Sequence, residues 1–388
     1  MTFLLIASAI KVFVVFNLIM VGVALLTLLE RRVCAWMQDR LGPNRVGPQG
    51  LLQPAADGLK NFLKEETSPA MADKALFTLA PIISFVPALL TFGVIPFAAP
   101  LPTKWGLVPM VVADLPVGFL YILAISSLGV YGIVLAGWAS NNKYALLGGL
   151  RASAQMISYE IALGMSTVAV ILLAGNVTLS QVIAQQQQAH VWFIIPLSVA
   201  FVVFFISAFA ETNRLPFDLP EAEAELIAGY HTEYSAMKFS MFYIAEYSNM
   251  VTTSALMATL FFGGWDIPLT TWDSTGDPSV LKTLLTLAVF GAKTFVFLFT
   301  YIWVRWTLPR FRYDQLMALG WKVLLPLSLV YITLVAVAIW FIRIRLGWEY
   351  GTGMALVLGG LNLVLLIALV YWLDRGRIVS GSVQEEAA

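Results

Sequence analysis

Apolar runs of about 20 residues recur along this chain, beginning near residues 5, 75, 117, 153, 191, 240, 286, 323 and 353. A run of that length, wound as a helix, crosses the ~30 Å hydrocarbon core of a bilayer, and in lipid every backbone N–H and C=O must find its partner within the protein. The pattern predicts an all-α polytopic membrane protein of about nine transmembrane helices. With 59% hydrophobic residues, 25 Phe and 12 Trp among 388 positions, a water-soluble domain is excluded. No internal repeat or second folded unit is visible, so residues 1–388 are expected to form a single membrane domain. Its landmarks are a first loop at 30–73, an acidic loop at 211–239, and a last span and tail at 353–388.

Charge is informative here through its placement. The chain has 23 basic and 23 acidic residues, so bulk charge points to no nucleic-acid partner. Arg31, Arg32, Arg40, Arg45, Lys60, Lys64, Lys74, Lys143, Arg151, Arg214, Lys238, Arg305, Arg310, Arg312, Lys322, Arg375 and Arg377 all fall in one alternating set of connections, whereas the other holds only Lys104, Lys282, Arg343 and Arg345. The positive-inside rule then puts the N-terminus outside and the C-terminus in the cytoplasm. The first 29 residues lack a basic n-region and run on to Glu30-Arg31-Arg32, which reads as a retained first span. One cysteine, Cys34, and two histidines, His190 and His231, leave the chain without the ligands for a zinc or Cys-bound iron-sulfur site. The glutamine patch at 185–188 reads as an outer-loop segment with no assigned task.

Within the first loop, a Gly/Pro-rich turn leads into an amphipathic helix from about Leu51 to Lys64. Leu52, Ala55, Leu59, Phe62 and Leu63 share one face, and Lys60, Asn61 and Lys64 lie on the other. Such a helix fits the headgroup plane. Two readings stand together: ordinary cationic anchors with Asp57 solvated, or one wall of a lateral opening for an amphiphile.

The acidic loop, RLPFDLPEAEAELIAGYHTEY at 214–234, has Asp218 placed to cap a helix continued by Pro220 and Glu221. Asp218, Glu221 and Glu225 would share a face opposite Glu223, an arrangement the helix dipole alone favours by about 0.3 to 1 kcal/mol per acid. Yet Glu211 closes the fifth span, Glu233 follows, Glu246 lies in the sixth span and Glu160 in the fourth. A carboxyl at the depth of Glu160 costs on the order of 2.5 to 3.5 kcal/mol, and Lys293 in the seventh span poses the same problem with opposite sign. Lys11 is near enough to a span end to snorkel. A proton route through these groups competes with static interhelical hydrogen bonds for Glu160 and Lys293.

Four segments carry a family resemblance: ERRVCAWMQDRLGPNRVGPQGLLQPAADGLKNFLKE, GWASNNKYALLGGLRASAQMISYE, AETNRLPFDLPEAEAELIAGYHTEY and RFRYDQLMALGWK. Over residues 30–320 the chain resembles the membrane subunit, called H in bacteria, that houses the quinone site of proton-translocating NADH:quinone oxidoreductase, respiratory complex I. The resemblance implies a quinone chamber lined by Arg31, Arg40, Asp57, Phe239, Phe242 and Tyr243, and a proton path through Glu160, Glu211, Glu221, Glu223, Glu225, Glu246 and Lys293. It implies no catalytic residue by direct chemistry and no metal or covalent cofactor on this chain, with quinone as substrate and the iron-sulfur clusters and FMN in partner subunits. Those partners would be peripheral iron-sulfur and quinone-site subunits, small membrane subunits, antiporter-like subunits and lipid, in a bacterial inner (plasma) membrane. Two departures stand out. Some family members carry a carboxylate where this chain has Ser127, and the ninth span, about Met354 to Leu373, is absent from shorter members and is assigned only peripheral packing. The related subunits of membrane-bound hydrogenases and ferredoxin-oxidising complexes share the pattern. An autonomous proton-coupled transporter is the more distant alternative, disfavoured by the lack of repeated halves.

Overall fold

The computed structural model describes residues 2–104, 106–218, 229–267, 270, 272 and 277–374, with side chains from residue 6 to 371. A helix lies within each of the nine predicted runs. Seven helical segments among the described residues are long and apolar enough to cross a membrane: Ile6–Met37, Lys74–Val94, Gly118–Ala139, Lys143–Ala174, Val280–Thr307, Tyr313–Arg345 and Thr352–Tyr371. They lie within α1 (Thr2–Met37), α3 (Lys74–Leu90, extended by a turn at Thr91–Val94), α4 (Gly118–Ala139), α5 (Lys143–Ala174), α9 (Val280–Thr307), α10 (Tyr313–Ala318) joined to α11 (Leu325–Arg345), and α12 (Thr352–Asp374).

The other two predicted spans differ for physical reasons. Helix α7 (Ser198–Glu211) has only 14 residues, a rise of about 21 Å. Helix α8 (Ala236–Phe261) is long enough at 26 residues but rich in hydroxyls, because it is packed inside the bundle and needs no lipid-facing surface. Its buried hydroxyls turn back onto their own helix: Ser240 donates to Ala236 O (3.1 Å), Thr252 to Ser248 O (3.1 Å) and Thr259 to Ala255 O (2.8 Å). The apolar core gathers α1, α5, α7, α8, α9 and α11, with Tyr159, Phe193, Phe204, Phe209, Phe261 and Tyr301 fully enclosed.

Short elements close the two ends of the bundle. Helix α2 (Gln53–Leu63) has no buried residue and lies alongside the end of α1, as its amphipathic pattern predicts. At the opposite end the chain forms an antiparallel hairpin, β1 (Ala98–Thr103) with β2 (Gly106–Met110), which the helical reading did not anticipate. The hairpin docks on α9, where Thr286 accepts from Ala99 N (3.1 Å) and Thr283 donates to Pro100 O (3.1 Å). Lys11 sits beneath it and donates to Val111 O (2.6 Å), so its charge meets carbonyl oxygens rather than water alone.

Helix α6 (Leu179–Ala189) corrects the reading of the glutamine patch as an idle loop segment. Gln186 is fully buried, donates to Thr259 O (3.2 Å) and accepts from Phe193 N (3.0 Å), which pins α6 to the end of α8.

Helices α3 and α4 approach closely because Gly132 faces Ser84. A Cβ at position 132 would stand 2.8 Å from Ser84 N and 2.9 Å from Ala80 O. Replacing Gly132 with Leu should therefore force the two helices apart and lower stability by about 1 to 3 kcal/mol. The check is the thermal midpoint of the assembled protein in detergent, with Gly129→Leu as control, since a Cβ there meets nothing within 4 Å.

Candidate functional site

A charged cluster is enclosed where the C-terminal part of α1 meets α8, α9 and the turn after α7. Glu30, only 5% exposed, accepts from Arg214 Nη1 (3.1 Å), from Arg305, and from the Tyr247 hydroxyl (2.6 Å). Arg214, 6% exposed, also sets its Nε 2.7 Å from Glu246 Oε1 and lays its guanidinium over the Tyr247 ring at 4.2 Å. Beside it Arg310 reaches Asp218 Oδ2 (3.3 Å). Burial alone works against the Arg214 charge, but the carboxylates of Glu246 and Glu30 more than offset it and hold the guanidinium well above its usual value. At Asp218 burial prevails and pushes the carboxyl up, against the pull of Arg310, Arg305 and Arg214.

Of this cluster only Glu246 was among the predicted site residues. Glu30 and Arg214 were legible as charges at span ends, and their signal lay in being an acid and a base next to apolar runs that must face one another. The partner geometry itself needed the fold.

A second constellation crosses α4, α5 and α7. Glu160 and Glu211 lie close enough to interact electrostatically, with Ser126 of α4 beside Glu211. Ser126 donates to Leu123 O (3.1 Å) and Ser127 to Ala124 O (2.9 Å), each back onto its own helix. Alongside, Gln155 donates to Ala210 O (2.8 Å), Asn213 Oδ1 (3.1 Å) and Phe217 O (2.9 Å), fixing the end of α7 against α5.

The predicted chamber residues occupy neighbouring but distinct surroundings. Asp57 accepts from Arg31 (2.6 Å) and from Gln53 (3.2 Å), joining α2 to α1, with Lys60 at 3.7 Å. Arg40 donates to Gln38 Oε1 (2.7 Å) and to Cys34 Sγ (3.4 Å). Phe239 and Tyr243, one turn apart on α8, contact each other at 4.7 Å between ring centres and flank His231 at 5.3 and 6.4 Å. Phe242 points elsewhere, edge-on to Tyr230 (5.3 Å) and Tyr234 (5.1 Å), and is 4% exposed.

Lys293 is far from isolated: its ammonium donates to Phe262 O (2.7 Å), Gly264 O (3.0 Å) and Asp266 O (2.6 Å) and lies 4.5 Å from the Trp192 ring centre. These carbonyls follow the C-terminus of α8, where a cation is favoured. Glu221, Glu223 and Glu225 lie outside the described residues. Among those described, no three His, Cys, Asp or Glu side chains converge as a metal would require.

A large apolar groove of about 1280 Å³ runs between α1 and α9 beneath the hairpin, from Ile6 and Lys11 to Arg32. None of the predicted chamber residues lines it.

Similarity to known proteins bears on this arrangement. The sequence model of the NADH dehydrogenase family matches residues 10–336. A Geobacter metallireducens protein, named as an H subunit of NADH-quinone oxidoreductase, is 51% identical over 335 residues, covering 86% of this chain and 96% of the relative. A Geobacter sulfurreducens protein of the same name is 51% identical over 332 residues (86% and 96%), and one from Cytophaga hutchinsonii is 48% identical over 335 residues (86% and 97%).

Two outcomes follow from the geometry. Arg214→Leu takes a buried ion-pair partner from both Glu246 and Glu30, so the assembled protein should lose about 3 to 5 kcal/mol of stability, read as a fall in its thermal midpoint. His231 is pushed down by burial from 6.5 to about 4. As pH falls, the unfolded chain takes up that proton first, so this contribution to stability is complete above about pH 6.5 and declines towards pH 4. His231→Asn should remove that decline, and equal pH dependence of the thermal midpoint in variant and parent would refute the assignment.

Proposed function

The chain belongs to the NADH dehydrogenase family of membrane subunits of NADH-quinone oxidoreductase, respiratory complex I, and from that premise we propose how its residues serve the complex. It shapes one side of a quinone chamber and couples quinone reduction to proton translocation through a chain of carboxylates. The observation that carries the coupling is the interacting pair Glu160 and Glu211 on adjacent helices, with the Ser126 hydroxyl beside them. Two carboxyls that influence one another inside a helix bundle share protons readily, because a charge on one opposes a charge on the other.

The chamber reading assigns Arg31, Arg40 and Asp57 to orientation of the quinone head and Phe239, Phe242 and Tyr243 to apolar walls. Electrons reach the quinone from an iron-sulfur cluster of a peripheral partner, fed in turn by FMN, and this chain supplies geometry and charge. Reduction makes the quinone demand protons. Glu246, bound to Arg214 and through it to Glu30, is the group by which a charge change near α8 reaches the turn after α7, and so Glu211. Glu221, Glu223 and Glu225 would extend the same path into the acidic loop. Lys293 enters this reading only as a fixed positive charge at the end of α8, which sets the field at that end of the bundle.

The complex would lie in a bacterial inner membrane, with the acidic loop on the cytoplasmic side, beside small membrane subunits and antiporter-like subunits. The names of the matched relatives favour this assembly over hydrogenase or ferredoxin-oxidising relatives.

In the assembled complex, Glu211→Gln and Glu160→Gln should each lower proton-coupled quinone reduction by about tenfold or more, the scale of losing a positioned proton-transfer group. Normal rates and normal pumping in both variants would end the relay. Asp57→Ala should instead raise the KM for quinone by several fold and alter sensitivity to quinone-site inhibitors, with kcat little changed. An unaltered KM and inhibitor response would remove Asp57 from the site.

A further inference from the structure

Helix α7 begins inside the protein with no cap of its own. Its N-cap position is Leu197, which has no side-chain oxygen to accept from the first-turn N–H groups, and Pro196 before it belongs to an irregular stretch from 191 to 197. At 14 residues the helix is too short for a bilayer by about 9 Å, so this irregular stretch falls where water is scarce and each free backbone group must be met by protein.

The partner comes from α12. Asn362, fully buried, accepts from Val199 N (3.3 Å), the second-residue bond that an N-cap side chain ordinarily makes, and donates to Pro196 O (2.6 Å). Its amide is held in that orientation by Tyr331 of α11, whose hydroxyl donates to Asn362 Oδ1 (2.8 Å), and by donation to Leu358 O (2.9 Å) within α12. Tyr331 also touches the Ala200 backbone, the next residue of the same turn. Two further contacts fasten the irregular stretch to this region: Tyr350 donates to Val191 O (3.2 Å) and meets the Phe193 ring edge-on at 5.3 Å. Gly359 allows the approach, since a Cβ there would stand 3.2 Å from Ile195 Cγ2.

The family match ends at residue 336, short of α12, so the cap is supplied by a helix outside the part of the chain that the family shares. We propose that Asn362 is a positioning residue: α12 caps α7 from across the helix interface and thereby sets the height of Glu211, at the far end of that helix, against Glu160. A rigid helix of 14 residues transmits an axial displacement of its first turn to its last. The inference rests on the reading of Glu211 as a proton-exchanging group, and it replaces the assignment of the last span to peripheral packing.

The test compares Asn362→Leu, Tyr331→Phe and Glu211→Gln in the whole complex, with rates normalised to NADH oxidation by an artificial acceptor. Hydrogen exchange is followed over residues 196–201. Asn362→Leu should speed that exchange by about tenfold, lower kcat for quinone about fivefold with KM within about twofold, and displace the pH profile of quinone reduction. Tyr331→Phe, which leaves the amide in place, should act in the same direction by about twofold. A change confined to the amount of complex assembled is what mere packing would give. An assembled Asn362→Leu complex with parental kcat and pH profile overturns the proposal. If that variant does not assemble, parental exchange and pH profile in Tyr331→Phe overturn it equally. Should Glu211→Gln alone prove silent, the proton-path reading fails, while accelerated exchange in Asn362→Leu would still establish the cap.

Discussion

The pairing of buried charge organises this bundle. Arg214 lies between Glu30 of α1 and Glu246 of α8, and Arg305 of α9 and the Tyr247 hydroxyl complete the ligation of Glu30. No member could be enclosed without the others, because an isolated ion in a low-dielectric interior loses far more in hydration than packing returns. The cluster therefore specifies which helices meet at this end of the bundle and at what height. It also gives the region a shared electrostatic state, so that protonation or movement at one member is felt by the rest.

Backbone satisfaction imposes a matching demand at interrupted helices. The chain breaks between α7 and the stretch before it, and again after α8, and at each break a polar side chain from another helix takes up freed groups. Asn362 serves the N-terminal break and Lys293 the C-terminal one, the amide offering both a donor and an acceptor and the ammonium offering three donors to three carbonyls. These residues look costly in isolation and are close to obligatory in place. They leave the carboxyls of Glu160 and Glu211 as a pair of like groups that influence one another within the helices, a setting in which proton affinity is easily moved.

Hydropathy alone carried the architecture. Length of apolar run determined that the chain is a helical membrane protein and roughly where its long helices lie, since a bilayer sets one thickness and one way to satisfy the backbone. Spacing likewise determined the amphipathic helix α2, and the motifs around Glu30, Glu160 and Arg214 determined the family. Glu160, Glu211 and Glu246 were legible as candidates because charge in an apolar run is costly wherever it occurs. What surrounds such a residue was decided only by tertiary structure: Glu246 proved to be bound by Arg214, Glu160 to face Glu211, and Lys293 to hold carbonyls at the end of α8. The hairpin and the task of Gln186 were equally hidden, because both depend on partners nearly 75 or more residues away. A one-dimensional pattern records the cost of placing each group in the membrane, but the compensating contact is made by another part of the chain, and only the fold brings the two together.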